Sequence, residues 1–128
     1  MAKTKRKPKV LVVDDEAVVR AGISRILEKQ DLSIHTAADG SEALEIMAEY
    51  QIDIVLLDIK MPGLDGIEVL RHIRATYPDT VVIMITGHPT IQSAIECTKL
   101  GATDYLVKPF RVDELESLIL KAQKQPNK

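Results

Sequence analysis

Hydrophobic positions along the chain alternate between two spacings, which predict strands and helices in turn. Each short apolar run, typical of a β-strand, is followed by a segment whose apolar residues recur every three or four positions, as on one face of a helix. The predicted strands are Val10–Val13, Ser33–Ala37, Ile54–Leu57, Val81–Ile85 and Tyr105–Val107. The apolar positions of the predicted helices are Val19, Gly22, Ile23, Ile26 and Leu27, then Ala43, Leu44, Met47 and Ala48, then Ile67, Leu70 and Ile73, then Ile91, Ala94 and Ile95, then Leu115, Leu118, Ile119 and Ala122. This alternation predicts an α/β fold of the (βα)5 type, a parallel sheet with helices on both faces.

The polarity of the five strand segments predicts their order in the sheet. The first, third and fourth segments are apolar throughout, as strands covered on both faces must be. The second (SIHTA) and the fifth (DYLVK) contain polar residues, which suit the edges of a sheet. The order 2-1-3-4-5, that of a flavodoxin-like, doubly wound three-layer sandwich, places these two at the edges. In such a sheet, ligands bind beyond the carboxyl ends of the strands where the order reverses, here between the first and third strands.

Composition narrows the class of protein without identifying a function. The chain has 128 residues, one cysteine, three Tyr, one Phe and no Trp. The length fits one domain, and the single cysteine, Cys97, excludes an internal disulfide and suits a reducing compartment. No apolar run approaches the roughly 20 residues that cross a bilayer, and the N-terminus lacks the pattern of a secretory signal. We therefore expect a soluble, cytoplasmic protein that contacts no membrane.

Charge divides the chain into three predicted segments. Five of the 17 basic residues lie before position 10, whereas all 19 acidic residues follow it, although the net charge is only −2. We expect a basic, flexible leader over residues 1–8, one domain over 9–122, and a polar tail or the start of a linker over 123–128. An acidic body with few aromatic side chains repels phosphates and offers bases little to stack on, so we expect no direct nucleic-acid binding by this domain.

Acidic side chains follow the two strands that flank the predicted crevice. Asp14, Asp15 and Glu16 follow the first strand, and Asp58 follows the third. Helix capping explains one or two of the first group, but a proline-containing loop rather than a helix follows Asp58. Clustered carboxylates repel one another, and Mg²⁺ is bound through one or two carboxylates together with phosphate oxygens. We expect Mg²⁺ rather than a transition metal, because the His and Cys residues are dispersed over different elements.

The fourth and fifth strands end in residues of complementary chemistry. Thr86 and Gly87 follow the fourth strand, and Lys108 follows the fifth. Each is common in loops when it occurs alone. Together with the acids, a hydroxyl and an ammonium supply the charge neutralisation and positioning that a transferring phosphoryl group requires, and a carboxylate can accept that group as an aspartyl phosphate.

Four segments, VVDDE, LLDIKMPGLDG, ITGH and LVKPF, occur in this order and spacing. Over residues 9–122 the chain resembles the receiver domains of two-component response regulators, a family that includes the chemotaxis response regulator. The resemblance implies that Asp58 accepts a phosphoryl group from a histidine kinase or phosphotransfer protein. It also implies a Mg²⁺ ion held by Asp14, Asp15, Asp58 and the backbone carbonyl of Lys60.

The resemblance further implies roles for side chains around the site. Thr86 would bind a phosphoryl oxygen, and Lys108 would form an ion pair with the phosphoryl group and precede a cis peptide to Pro109. Tyr105 would rotate upon phosphorylation, so that Thr86 and Tyr105 together form the switch. The signal would reach the face built by the fourth helix, fifth strand and fifth helix, where we expect a homodimer or another partner.

Three alternatives share parts of this pattern. A Mg²⁺-dependent phosphohydrolase of the aspartyl-phosphate type needs a second acid, and haloacid-dehalogenase-type phosphatases carry an Asp where this chain has Lys60. A flavodoxin-type FMN carrier needs a phosphate-binding loop where this chain has three acids, and a receiver acting only as a docking module would lack one of the site residues. We therefore expect a signalling switch rather than an enzyme. Lys60 and His88 either flank the attacking water and tune the lifetime of the phosphorylated form, or are ordinary exposed loop residues.

Overall fold

The computed structural model describes residues 7–124, so residues 1–6 of the predicted leader and 125–128 of the predicted tail lie outside the described residues. The strands are β1 Lys9–Val13, β2 Ser33–Ala37, β3 Ile54–Asp58, β4 Val81–Thr86 and β5 Asp104–Val107. The helices are α1 Ala17–Leu27, α2 Gly40–Glu49, α3 Gly66–Thr76, α4 Ile91–Lys99 and α5 Val112–Lys124. Strands and helices thus alternate as the sequence predicts, and α5 extends past the predicted end of the domain at residue 122. Between residues 7 and 124 no helix has the length and apolar character needed to span a bilayer.

The strands form one parallel sheet in the order β2-β1-β3-β4-β5. Every residue of β3 and β4 is buried, as is every residue of β1 after Lys9, because helices cover both faces of these strands. The edge strands β2 and β5 keep several side chains partly exposed. The predicted strand order and the flavodoxin-like fold are therefore confirmed.

Two apolar clusters cover the two faces of the sheet. Alternate residues of β1, such as Leu11 and Val12, point to opposite faces and belong to different clusters. The first cluster packs the sheet against α2, α3 and one residue of α4, and the second packs it against α1 and α5. Because all five strands are parallel, their carboxyl ends lie at one edge of the sheet, where the predicted site lies.

Helix α4 buries a different face from the one that its apolar spacing predicts. Ile91 and Ile95 are 81% and 50% exposed, and the buried residue of this helix is Cys97. Ala94, three positions before Cys97 and therefore on the same face, is partly buried. Tyr105 of β5 also packs against the apolar cluster beneath α4. The core is thus closed on this side without the two isoleucines, so the apolar spacing predicts the helix correctly but does not mark its buried face.

Candidate functional site

Three carboxylates lie together where β1 and β3 end. Asp14 follows β1 directly and Asp58 is the last residue of β3, and only 1% and 4% of these residues are exposed. Carboxylate oxygens of Asp14, Asp15 and Asp58 all lie within 4.8 Å of one another. Val13 pairs with Leu57 in the parallel register of β1 and β3, so the residues that follow them, Asp14 and Asp58, lie at the same edge of the sheet. The structure thus brings together three of the four acids that the sequence places at this edge.

The backbone of Asp58 packs closely against the start of α3. The amide of Gly66 donates a hydrogen bond of 2.8 Å to the carbonyl of Ile59. A Cβ atom at Gly66 would lie 2.1 Å from the carbonyl oxygen of Asp58, which no side chain can occupy without a shift of the backbone. Asp65 caps the helix by accepting a hydrogen bond of 3.0 Å from the amide of Glu68. A glycine at the first position of α3 therefore lets this helix hold the Asp58 backbone in place.

Lys108 supplies a positive charge to this cluster. Its Nζ lies 2.8 Å from Oδ2 of Asp14, 3.7 Å from Oδ2 of Asp58 and 3.6 Å from Oε1 of Glu16. Burial alone lowers the pKa of Lys108, but the hydrogen bond to Asp14 and the charges of Asp58, Asp14 and Glu16 together raise it above its usual value. Lys108 is therefore a permanent cation at the centre of the site.

Burial, together with the charge of Asp14, raises the pKa of Asp58 to about 6. Lys108 lowers this pKa, Asp15 raises it, and a hydrogen bond from the backbone amide of Lys60 lowers it. Asp58 is consequently ionised in most molecules at neutral pH, but its negative charge is unfavourable in this environment. The side chain of Lys60 is exposed.

The donor set of this cluster fits a hard divalent cation. Its ligands are carboxylate oxygens, which Mg²⁺ prefers over the nitrogen and sulfur atoms that hold transition metals. Three carboxylates face the single ammonium of Lys108, so more negative than positive charge remains. A divalent cation between Asp14, Asp15 and Asp58 would offset the repulsion by Asp14 and Asp15, which adds to the effect of burial in raising the pKa of Asp58.

Thr86 is the last residue of β4, and Lys108 follows the neighbouring strand β5 directly. Thr86 is 1% exposed, and its Oγ1 accepts a hydrogen bond of 3.0 Å from the amide of His88. The carbonyl of Thr86 accepts a hydrogen bond of 2.8 Å from the amide of Lys108. The peptide between Lys108 and Pro109 is cis, as the resemblance implies. The side chain of His88 is exposed in the loop that follows β4.

Tyr105 lies on β5 and contacts α4. It is partly buried, and its Oη lies 2.9 Å from Oγ of Ser93. Ser93 is not among the predicted site residues, although a Thr at position 90 followed three residues later by Ser is the spacing of a capping box. Arg20 is not among them either, and its Nη1 donates a hydrogen bond of 2.7 Å to the carbonyl of Asp14. Nothing in the sequence marks Arg20, because this contact depends on how α1 packs beside β1.

A family model described as the response regulator receiver domain matches residues 10–120 of the chain. This chain belongs to that family. The acidic cluster, Thr86 and Lys108 all lie within the residues that this family model matches.

The receiver domain is also similar to curated response regulators. It is 39% identical to the regulatory protein AtoC of Escherichia coli over 114 residues, which cover 89% of this chain and 25% of AtoC. It is 42% identical to a putative NtrX-like response regulator of Rickettsia bellii over 115 residues, which cover 88% of this chain and 24% of that protein. The chain thus spans about a quarter of the length of these relatives.

Solved structures of receiver domains have the same fold. The chemotaxis protein CheY4 of Vibrio cholerae has a TM-score of 0.86 at 32% identity, covering 91% of this chain and 99% of CheY4. The receiver domain of NtrX from Brucella abortus has a TM-score of 0.85 at 34% identity, again covering 91% of this chain and 99% of the other.

Proposed function

We propose that this receiver domain is a phosphorylation-dependent signalling switch in which Asp58 accepts a phosphoryl group. The observation that carries the proposal is the cluster itself, three carboxylates within 4.8 Å with the Nζ of Lys108 at 2.8 Å from Asp14 and 3.7 Å from Asp58. Membership of the receiver family supports a histidine kinase or a phosphotransfer protein as the donor.

The transfer uses the ionised Asp58 carboxylate as the nucleophile. An oxygen of Asp58 attacks the phosphorus of a phosphohistidine, the P–O bond forms as the P–N bond breaks, and the imidazole nitrogen leaves with the electron pair. Asp14, Asp15, Asp58 and the backbone carbonyl of Lys60 would hold Mg²⁺, which would supply charge neutralisation for the phosphoryl oxygens. Lys108 already contacts Asp58, so its ammonium is placed to form an ion pair with the oxygens that the transfer adds.

The new phosphoryl group changes the contacts at the ends of β4 and β5. We propose that the hydroxyl of Thr86 donates a hydrogen bond to a phosphoryl oxygen and that Tyr105 responds by changing its side-chain orientation. The signal then reaches the surface formed by α4, β5 and α5, the output face. Ile91, Ile95 and Val107 are 81%, 50% and 41% exposed and give this face apolar positions for a homodimer or another partner.

The same proposal defines the surroundings in which the domain acts. The single buried cysteine and a histidine kinase as donor fit the cytoplasm. The acidic body of the domain argues against direct contact with nucleic acid. DNA binding in the relative named DNA-binding transcriptional regulator NtrC is a property of that protein, of which this chain covers 24%.

Mass spectrometry of the full chain with acetyl phosphate tests the proposal. We expect a gain of about 80 Da, the mass of one phosphoryl group, only when Mg²⁺ is present. The Asp58→Asn variant should gain no mass, because the amide is not a nucleophile.

Asp31→Asn is the matched control. Asp31 is an exposed carboxylate before β2, at the opposite end of the sheet, where it lies 3.7 Å from Lys7. This variant should take up phosphate as the unmodified chain does. Phosphate uptake by Asp58→Asn, or uptake that is equal with and without Mg²⁺, would contradict the assignment.

A further inference from the structure

The hydroxyl of Ser93 connects α4 to β5 through the side chain of Tyr105. Ser93 lies in the first turn of α4, and its Oγ is 2.9 Å from Oη of Tyr105. Both residues are partly buried, which partly shields the hydrogen bond from competing water. This side-chain hydrogen bond joins an element of the output face to the aromatic residue proposed to change orientation.

Ser93 also takes part in the capping box of α4. Its backbone amide donates a hydrogen bond of 2.9 Å to Oγ1 of Thr90. Its Oγ accepts from the amide of Thr90 at 3.4 Å and donates to the carbonyl of Thr90 at 3.1 Å. A hydroxyl has one proton to donate and two lone pairs. When that proton is donated to Thr90, the hydroxyl of Tyr105 is the donor in the contact with Ser93, and all hydrogen-bonding capacity of Ser93 Oγ is used.

The segment between Thr86 and Ser93 links this contact to the acidic cluster. Oγ1 of Thr86 accepts a hydrogen bond from the amide of His88, and the cap residue Thr90 follows two positions later. Thr86 and Tyr105 also lie on paired strands, with Thr86 opposite Val107 and Met84 opposite Tyr105. A movement of the Thr86 hydroxyl toward a phosphoryl group therefore acts on the same short loop that positions Ser93.

We propose that Ser93 is a positioning residue that holds Tyr105 in its present orientation and thereby sets how readily the switch changes state. This inference rests on the proposed function in one respect, that the orientation of Tyr105 carries the signal. The pair of hydroxyls from Ser93 and Tyr105 forms a latch between α4 and β5. The latch opposes any reorientation of the ring that breaks its contact with Ser93, and removing either hydroxyl favours the alternative orientation.

Fluorine NMR on the full chain labelled with 3-fluorotyrosine tests the latch. The chain has three tyrosines, so Tyr50 and Tyr77 serve as internal references, and Tyr105→Phe assigns the third resonance. We expect Ser93→Ala to move the Tyr105 resonance and to raise the population of the alternative ring orientation roughly 2- to 10-fold, the range that the net contribution of one neutral hydrogen bond allows. Ser93→Thr retains a hydroxyl and should restore the original resonance.

Two controls test whether the effects of Ser93→Ala arise from its contact with Tyr105. Thr98→Ala removes another α4 hydroxyl, which donates to the carbonyl of Ala94, and should leave the Tyr105 resonance unchanged. Introduced alone, Ser93→Ala should change the rate of phosphorylation by acetyl phosphate. Introduced together with Tyr105→Phe it should cause no further change, because both substitutions remove the same hydrogen bond between Ser93 and Tyr105.

The outcomes distinguish this inference from the proposed function. An unchanged Tyr105 resonance in Ser93→Ala would overturn the latch, and so would an effect of Ser93→Ala on phosphorylation that persists in Tyr105→Phe. The NMR measurement needs no phosphate donor. A chain that shows the shifted resonance but takes up no phosphate therefore refutes the phosphorylation of Asp58 and keeps the latch.

Discussion

The acidic cluster is held firmly on one side and loosely on the other. On the β3–α3 side, Gly66 packs against the backbone of Asp58, and α3 buries four of its residues. On the β4–α4 side, α4 buries only Cys97 and presents Ile91 and Ile95 to solvent. Carboxylates that share one cation need a fixed geometry, whereas an element that changes position must have few buried contacts to break. The difference therefore fits the ion binding proposed for one side and the signal output proposed for the other.

Gly66→Ala should produce the largest effect, because it breaks the firm side. The added Cβ would meet the carbonyl oxygen of Asp58 at 2.1 Å and Cα of Ile59 at 2.7 Å, and backbone atoms cannot move aside as a flexible side chain can. We expect the free energy of unfolding to fall by about 3 kcal/mol, as for other overpacked sites. Urea denaturation followed by circular dichroism measures this change.

Gly22→Ala is the matched control for that prediction. Gly22 lies inside α1, and a Cβ built there has no atom within 4 Å apart from its chain neighbours and the nearby backbone of its own helix. Alanine is a better helix former than glycine, so this variant should raise the free energy of unfolding by about 0.5 to 1 kcal/mol. Equal effects of the two substitutions would show that Gly66 does not owe its importance to the contact with Asp58.

Asp58→Asn should raise the free energy of unfolding, in contrast to Gly66→Ala, and by a smaller amount than Gly66→Ala lowers it. The pKa of Asp58 is raised from 3.8 to about 6, so its ionisation opposes folding. This unfavourable contribution is fully present above pH 6, and it disappears as the pH falls through that value toward 3.8, because the folded state then binds the proton more tightly than the unfolded state. Without divalent cations we expect Asp58→Asn to raise the free energy of unfolding by about 1 to 3 kcal/mol at pH 7.5, with a much smaller gain at pH 4.

Urea titrations at both pH values in the presence of EDTA measure this gain. Asp31→Asn, which removes an exposed carboxylate, should change the free energy of unfolding little at either pH. Adding Mg²⁺ should stabilise the unmodified chain more than Asp58→Asn. If Asp58→Asn raised the free energy of unfolding equally at pH 4 and pH 7.5, the charge of Asp58 would not be the cause of the increase.

The sequence predicts the firm side better than the loose one, for a physical reason. Strand order follows from local polarity, because strands covered on both faces are apolar throughout, and the residues that end those strands must emerge at one edge. The contacts of α4 have no comparable local signal. Its apolar spacing indicates a helix, but Ile91 and Ile95 are exposed to solvent, whereas Cys97 is buried in the core. The hydrogen bond between Tyr105 and Ser93 depends on how α4 is rotated against β5, which no spacing within α4 specifies.

Ile95→Ala should have the smallest effect on stability and tests whether the loose side is a surface for partners. Half of Ile95 is exposed, so its truncation leaves no cavity and should change the free energy of unfolding by no more than about 0.5 kcal/mol. If the output face binds a partner or a second copy of the domain, the same substitution should weaken that association after phosphorylation. Sedimentation of the phosphorylated chain measures self-association, and urea denaturation measures stability. A loss of more than about 1.5 kcal/mol, a size expected of buried positions, would place Ile95 in the core and remove the distinction between the two sides.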